Sequence, residues 1–159
     1  MMKCVVIRLS NECFGIDIHQ IRSIERLQSI TSIPTTLPYV KGIINLRGNV
    51  IPIVDLRERL SMEANSYTDQ TRLVVATVND VDVGLIVDAA NEVIDIQEEQ
   101  IQPAPTFSGN SIEFLSGIAK LGDRVLILLD IEKLLNSDDI IQLEQLREIE
   151  ESLSSFLTS

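Results

Sequence analysis

The chain has 159 residues, of which 45% are hydrophobic and only 4% aromatic, and its formal net charge at pH 7 is −11. This length allows one domain or two small subdomains, and aliphatic side chains must fill most of the core. The negative charge disfavours a nucleic-acid partner, because phosphate binding needs a positive surface. The acidity indicates a solubilising surface or, alternatively, the steering of a basic partner.

The N-terminal segment favours a cytoplasmic protein. "MMKCVVIRL" lacks an apolar stretch followed by a small-residue cleavage site, and no apolar run reaches the roughly 18 residues that a membrane span needs. Cys4 and Cys13 lie in the first predicted strand pair. With a turn at Asn11-Glu12, Leu9 would face Phe14 and the two thiols would not face each other. This register disfavours a disulfide, as expected in a reducing compartment.

Along the chain, short segments rich in Val and Ile alternate with turns that contain Gly, Asn or Asp, which adopt positive φ at low cost. The pattern predicts strand, polar turn, strand, connector, strand, tight turn, strand and a short helical turn, and the same order then recurs. Closely spaced short strands of this kind indicate a small barrel or sandwich. The predicted turns are Ser10-Asn11-Glu12, Arg47-Gly48-Asn49, Asn79-Asp80 and Gly122-Asp123.

The second half of the chain repeats the first. The segment "GIINLRGNVIPIVDLRERL" (42–60) aligns without gaps with "GIAKLGDRVLILLDIEKLL" (117–135) at an offset of 75 residues. The segments that begin at Val5 and Val74 also match, and they place Gly15 opposite Gly84. The sequence therefore predicts two copies of one unit of about 70 residues.

Composition divides the chain into three predicted parts: subdomain 1 over about residues 1–65, subdomain 2 over about 66–136, and a C-terminal α-helix over 137–159. The polar stretch "SMEANSYTDQT" (61–71) separates the two subdomains. From Ser137 onward, apolar residues recur every three or four positions opposite acidic ones, as in an amphipathic helix. This helix either packs on the barrels or binds a partner.

The sequence contains no arrangement typical of catalysis, of metal binding or of cofactor binding. The single histidine, His19, has no ligand partner nearby, the cysteines lack zinc-site spacing, and there is no glycine-rich phosphate loop. Asp55 and Asp130 are predicted to be helix N-caps, because a carboxylate can accept the N–H groups of a first helical turn. A non-enzymatic protein without cofactor or metal is expected. The alternatives are a small hydrolase that uses scattered carboxylates and a nucleic-acid-binding barrel.

The repeat singles out Arg47 as a candidate functional residue. The second copy has Gly122 at the equivalent position, so the turn itself does not require an arginine. Arginine is enriched at interfaces because its guanidinium pairs with carboxylates while its plane packs on apolar groups. Arg47 therefore binds a partner or, alternatively, is a solvated side chain with an intramolecular carboxylate. Phe107, in a proline-rich loop, either packs on a barrel or anchors a partner.

Five segments resemble the CheW family of bacterial chemotaxis coupling proteins in their order and spacing. They are "GIDI", "KGIINLRGNVIPIVDLR", "GLIVDAANEV", "QIQPAPTF" and "LGDRVLILLDIEKLL". The resemblance covers the chain from Cys4 to about Asp139. It implies a mainly β fold of two five-stranded SH3-like barrels in tandem, with short helices and a groove between the barrels, and no enzymatic activity. A chain of this length cannot also hold a receiver or a kinase core, which favours a stand-alone member.

The resemblance also implies the partners. They are the cytoplasmic tip of chemoreceptors, the regulatory domain of the histidine kinase CheA, and further copies of the protein in rings within membrane-associated receptor arrays. Receptor state would then control phosphorylation in a two-component system, without nucleic-acid binding or membrane insertion. By position, receptor binding falls on Arg47, Leu46, Gly48, Ile21, Val87 and Val93, and kinase binding on Ile24, Glu25, Phe107 and Thr106.

One position departs from the family pattern. Many relatives carry Glu where this chain has Ser23. Glu25 lies two residues further on, so in an extended segment its side chain shares a face with Ser23. Glu25 is therefore a candidate substitute for the missing carboxylate.

Overall fold

The structure is a computed structural model that describes residues 1–33, 37–63, 66–104, 106–107, 110–111, 114–135 and 145. Short helical turns follow several strands, and one of them, α1, is an α-helix (Leu56–Arg59). Of the predicted C-terminal helix over 137–159, all but Gln145, which is helical, lies outside the described residues. The strands are β1 (Met2–Leu9), β2 (Glu12–Asp17), β3 (Ile21–Arg26), β4 (Val40–Leu46), β5 (Asn49–Asp55), β6 (Arg72–Val78), β7 (Val81–Val87), β8 (Ala89–Ile96), β9 (Ile101–Gln102), β10 (Thr106–Phe107), β11 (Asn110–Ser111), β12 (Leu115–Leu121) and β13 (Arg124–Leu129).

The long strands form two sheets, which confirms the prediction of a mainly β fold. The first, here called barrel 1, has the order β3-β6-β7-β5-β4, and the second, barrel 2, has the order β8-β1-β2-β13-β12-β9. In each sheet, the chain that follows one edge strand returns to pair at the opposite edge. Thr31, beyond β3, pairs with Ile43 of β4, and Gln102, in the strand β9 that follows β8 along the chain, pairs with Ile118 of β12. The edges of each sheet are thereby brought together, as closure requires.

Each barrel contains strands from both copies of the repeat. The first hairpin of copy one, β1–β2, lies in barrel 2, and the first hairpin of copy two, β6–β7, lies in barrel 1. The parallel pairs β2–β13 and β5–β7 hold these hairpins in place. The barrels therefore differ from the predicted subdomains 1–65 and 66–136. Because the two copies are alike, the hairpin of either copy can occupy the same place, as in domain swapping.

The two barrels share a core. The largest hydrophobic cluster combines side chains of barrel 1, such as Val54 and Val74, with side chains of barrel 2, such as Ile7 and Ile16. Two smaller clusters fill the barrel interiors. Burial of this apolar surface is the main stabilising term expected for such a fold.

The first hairpin turns one residue earlier than predicted. Leu9 pairs with Glu12, and Phe14 pairs with Ile7, so the predicted Leu9–Phe14 pairing is wrong. The reason is local: Ser10 adopts a φ of 56° and so permits a tight turn of two residues. Cys4 lies opposite Asp17, and both cysteines are free thiols. Burial raises the pKa of the Cys4 thiol to about 11.

Candidate partner-binding surfaces

Arg47 lies at the tip of the hairpin that joins β4 and β5. Arg47 and Gly48 have φ values of 53° and 87°, and the Gly48 N–H donates to Asn45 Oδ1 at 2.8 Å. A turn with two positive φ values favours Asn-Gly, since a bulky L-residue in this conformation costs roughly 1–2 kcal/mol. The arginine therefore occupies a backbone conformation that a smaller residue would adopt more easily.

The Arg47 guanidinium pairs with a carboxylate of the same barrel. Arg47 Nη2 lies 3.0 Å from Glu25 Oε1, on β3. The Arg47 side chain is 71% exposed, whereas that of Glu25 is 15% exposed. The intramolecular carboxylate considered from the sequence is thus present. Since most of the Arg47 side chain still faces solvent, an exposed ion pair of this kind is compatible with contact to a partner.

Glu25 is the β3 carboxylate that pairs with Arg47, and it lies two residues after Ser23. Side chains of β3 alternate between half-buried and exposed positions, and both Ser23 and Glu25 take half-buried positions on one face. On the neighbouring strand they lie opposite Val75 and Leu73, which point into barrel 1. Glu25 therefore reaches Arg47 from the same face of β3 on which Ser23 lies.

The residues predicted to bind the receptor differ in accessibility. Gly48 is exposed, and Val93, on β8 of barrel 2, is 53% exposed. Ile21 is half-buried, while Leu46 and Val87 are buried in the interior of barrel 1 and in the shared core. The accessible members of this predicted set therefore lie on both barrels, and the buried members contribute to packing.

The residues predicted to bind the kinase begin beside the same ion pair. Ile24 is 37% exposed and lies on the face of β3 opposite to that of Glu25. Since Glu25 bonds to Arg47, the predicted kinase surface and the predicted receptor surface meet there. Thr106 and Phe107 lie in β10, which pairs with β11, and their side chains are outside the described set.

A buried charge cluster lies at the junction of the barrels and was not predicted from the sequence. Arg57, only 1% exposed, donates from Nη2 to Asp55 Oδ2 and from Nη1 to Asp88 Oδ1, each at 2.9 Å. The hydrogen bond that Arg57 donates to Asp55 raises the pKa of Arg57 above its usual value. Asp88 Oδ2 also accepts the Ser10 N–H at 2.6 Å. Because Arg57 follows barrel 1 and Ser10 belongs to barrel 2, the cluster ties the barrels together.

The repeat contained a signal for this cluster. Asp55 and Asp130 both cap their helical turns, accepting the N–H groups of Arg57 and Glu132 as predicted. Arg57, however, has Glu132 as its counterpart in the second copy. There the junction between barrels is held by a neutral side chain, since Gln20 Nε2 donates to Asp130 Oδ1 at 2.9 Å. An arginine that is present in only one of the two copies is therefore the sequence feature that indicates the charged junction.

Neither a metal site nor a membrane helix was found in the described part of the chain. No group of three or more His, Cys, Asp and Glu side chains there is placed to hold a metal ion. No helix among the residues that the structure describes is both long and apolar enough to cross a membrane.

Together, these features define a small β domain of two barrels with a shared core. The sequence pattern of the CheW-like domain matches residues 3–139. The chain is 39% identical to "Chemotaxis protein CheW" of Klebsiella aerogenes over 137 residues, which is 86% of this chain and 82% of the relative. It is 36% identical to the protein of the same name from Bacillus subtilis, covering 86% and 88% of the two chains.

A solved structure gives the same result. The scaffolding protein TtCheW from Thermoanaerobacter tengcongensis matches with a TM-score of 0.79 and 36% identity, over 87% of this chain and 96% of that one. The chain belongs to the CheW-like domain family. The matched proteins are named as chemotaxis and scaffolding proteins and not as enzymes, which confirms the non-enzymatic prediction.

Proposed function

We propose that this protein is a chemotaxis scaffold that couples chemoreceptors to the histidine kinase CheA through separate surfaces. Family membership supports the scaffold role. The observation that carries the receptor surface is Arg47, which is 71% exposed at a hairpin tip in a backbone conformation unfavourable for an arginine. Its counterpart in the second copy is a glycine, so the turn itself does not require an arginine. Such local cost is typical of functional sites.

The proposed receptor contact is a helical receptor tip that lies along the groove beside Arg47. An amphipathic helix places side chains at i, i+3, i+4 and i+7 on one face, which suits an elongated apolar surface with a charged end. Besides Arg47, the exposed residues Val93 and Gly48 of the predicted receptor set would line this contact. Ile24, Glu25, Thr106 and Phe107 remain the proposed kinase surface.

This mechanism requires binding and no catalysis. Receptor state would control the kinase if it changed the relative affinity or geometry of the bound kinase. The protein would act in the cytoplasm, at membrane-associated arrays, where further copies and kinase regulatory domains alternate in rings. Two partner surfaces on bodies that share a core would let one contact affect the other.

The proposal is tested by titrating the wild type and Arg47→Glu with a receptor cytoplasmic fragment and, separately, with the CheA regulatory domain. The variant should lose about 1–3 kcal/mol of receptor binding, as expected for an arginine at the centre of an interface. Lys120→Glu makes the same charge change at an exposed position of barrel 2 and serves as the matched control. Circular dichroism should show that all three proteins are folded.

Two outcomes would contradict the proposal. If the wild type binds neither partner, the scaffold function is wrong. If Arg47→Glu and Lys120→Glu weaken receptor binding equally, Arg47 has no specific role in the receptor surface.

A further inference from the structure

Two arginines lie directly opposite each other on the outer face of barrel 1. Arg26, at the end of β3, pairs in the antiparallel register with Arg72, at the start of β6. Opposite residues in such a pair lie about 5 Å apart at Cβ, and like charges there are destabilising. The arrangement is unexpected in a chain with 24 acidic and 13 basic residues, where carboxylates are abundant.

Neither arginine is neutralised within the described part of the chain. The arginine ion pairs found there involve Arg22, Arg47, Arg57 and Arg124. Arg72 Nη1 instead donates to two carbonyl oxygens, those of Asp69 and Thr71, at 2.8 Å each. These bonds leave its positive charge uncompensated by a carboxylate while they hold the guanidinium in place.

The two arginines line an open cavity of about 340 Å³. Its far wall is the turn before β6, which is ordered by hydroxyl groups: the Thr68 N–H donates to Thr71 Oγ1 at 2.8 Å. Asp69 is the one acidic residue among the lining residues, so the lining has a net positive charge. The cavity is thus a basic depression on a strongly acidic protein.

An apolar side chain lies next to this depression. Ile24 precedes Arg26 by two residues on β3, so both side chains point to the same face. Ile24 is 37% exposed, so its side chain is accessible to a partner. On the other side of Ile24 along this face of β3, Arg22 already pairs with Asp82 at 2.6 Å. The unpaired charge is therefore concentrated on one side of Ile24.

We propose that Arg26 and Arg72 extend the kinase surface at Ile24 and bind an acidic segment of the kinase regulatory domain. One or two carboxylates of that segment pair with the guanidinium groups, and an adjacent apolar side chain covers Ile24. This inference depends on the proposed function, because it specifies the chemistry of the partner. Carboxylates placed between the arginines convert a repulsive pair into ion pairs and accelerate association at low salt.

The repulsion in the free protein provides a test with two readouts of opposite sign. Arg26→Glu places a carboxylate opposite Arg72, so it should raise the melting temperature of the free protein while weakening kinase binding. A residue with only a structural role would not separate these effects. We expect about a tenfold loss of affinity at low ionic strength, and a smaller loss at high salt because exposed charges are screened.

The experiment measures binding of the full chain to the CheA regulatory domain by calorimetry at two salt concentrations, with thermal unfolding of each free variant. Arg26→Glu with Arg72→Glu restores a like-charge pair of the opposite sign, so it should lose the gain in melting temperature and bind more weakly still. Lys120→Glu is again the charge-matched control on barrel 2. Receptor binding of Arg26→Glu should equal that of the wild type.

Failure of this inference differs from failure of the proposed function. If the wild type binds the kinase domain and Arg26→Glu binds equally well with the same salt dependence, the arginines are not part of the surface and the scaffold role stands. If Arg26→Glu lowers both the melting temperature of the free protein and its affinity for the kinase domain, the residue is structural and the inference is wrong. If the wild type does not bind the kinase domain, the proposed kinase coupling and this inference fail together.

Discussion

The hairpins β4–β5 and β12–β13 are equivalent in the repeat, yet their tips differ. Arg47 has a φ of 53° and Gly122 has a φ of 64°, so the backbone adopts the same left-handed conformation at this position. Glycine does so without steric cost, whereas arginine does not. The tip of barrel 2 carries a residue that suits its backbone conformation, whereas the tip of barrel 1 carries one that does not. Comparing the copies thus separates residues that the fold requires from residues that it does not require.

The same comparison holds at the junctions between barrels. One junction has the buried cluster of Asp55, Arg57 and Asp88, and the other has Gln20 bonded to Asp130. Equivalent places in the fold are therefore held by a charged group in one case and by a neutral amide in the other. Substitutions made in pairs, one in each copy, measure these differences directly.

The largest expected effect concerns the glycines that approach the barrel edge. A Cβ at Gly42, whose φ is 143°, would overlap the Thr31 carbonyl oxygen, whereas a Cβ at Gly117 would lie 3.0 Å from the Gln102 carbonyl oxygen. Gly42→Ala should lower the free energy of unfolding by about 4 kcal/mol, and Gly117→Ala by about 1 kcal/mol. Urea denaturation measures both. Equal losses of unfolding free energy would mean that the two barrels tolerate a side chain equally well at these edge pairings.

The charged junction should be the next most sensitive. Arg57→Met leaves Asp55 and Asp88 buried without their cation, and we expect a loss of about 3–4 kcal/mol of unfolding free energy. Gln20→Ala, at the neutral junction, should lose about 1 kcal/mol, the contribution of a partly buried hydrogen bond. Chemical denaturation of the two variants checks this ratio. A smaller loss for Arg57→Met than for Gln20→Ala would contradict the role assigned to the cluster.

The barrel interiors differ in a titratable group. Cys4 Sγ would lie 2.5 Å from a Cβ at Gly15 in barrel 2, while Leu73 packs against the equivalent Gly84 in barrel 1. Because burial raises the pKa of Cys4 from 9.0 to about 11, its neutral form stabilises the fold below pH 9, and this contribution is lost as the pH rises to about 11. The expected loss is about 1–2 kcal/mol.

The measurement compares wild type and Cys4→Ala between pH 8 and pH 11 by urea denaturation. The alanine variant is less stable at pH 8 because of the cavity it creates, and the difference should shrink as the pH rises. A difference that is independent of pH would show that the thiol does not ionise upon unfolding in this range.

The smallest expected effect returns to the hairpin tips. Arg47→Asn places a residue that tolerates positive φ at the first turn position, and we expect a gain of about 0.5–1 kcal/mol in unfolding free energy despite the lost ion pair. Gly122→Arg should cost about 1 kcal/mol in the other hairpin. Thermal unfolding measures the gain in stability of the first variant and the loss in the second. A loss of stability in Arg47→Asn would show that the pair with Glu25 outweighs the backbone cost.

Local features of the fold could be predicted from the sequence. Turn positions and the two N-caps follow from short-range rules, so Asp55 and Asp130 were identified correctly. The exchange of hairpins could not be predicted, because the two copies offer nearly identical partners and local patterns do not distinguish them. The first turn was misplaced because Ser10 tolerates positive φ here without being a typical residue for it.

Part of the candidate site was also visible in the sequence. Arg47 stood out because its counterpart is glycine, and Glu25 because it shares a face with Ser23. The bond between Arg57 and Asp88 was not visible, since it joins residues 31 positions apart that follow two different strands. The opposed arginines Arg26 and Arg72 required the register of β3 and β6, which the sequence does not define.

The exchange of hairpins between the barrels has a consequence for how the chain can be divided. If the backbone is cut within residues 61–71, each fragment lacks the hairpin that completes its own barrel and holds the one that completes the other. Neither fragment should fold alone, but a mixture should reassemble into a bound pair.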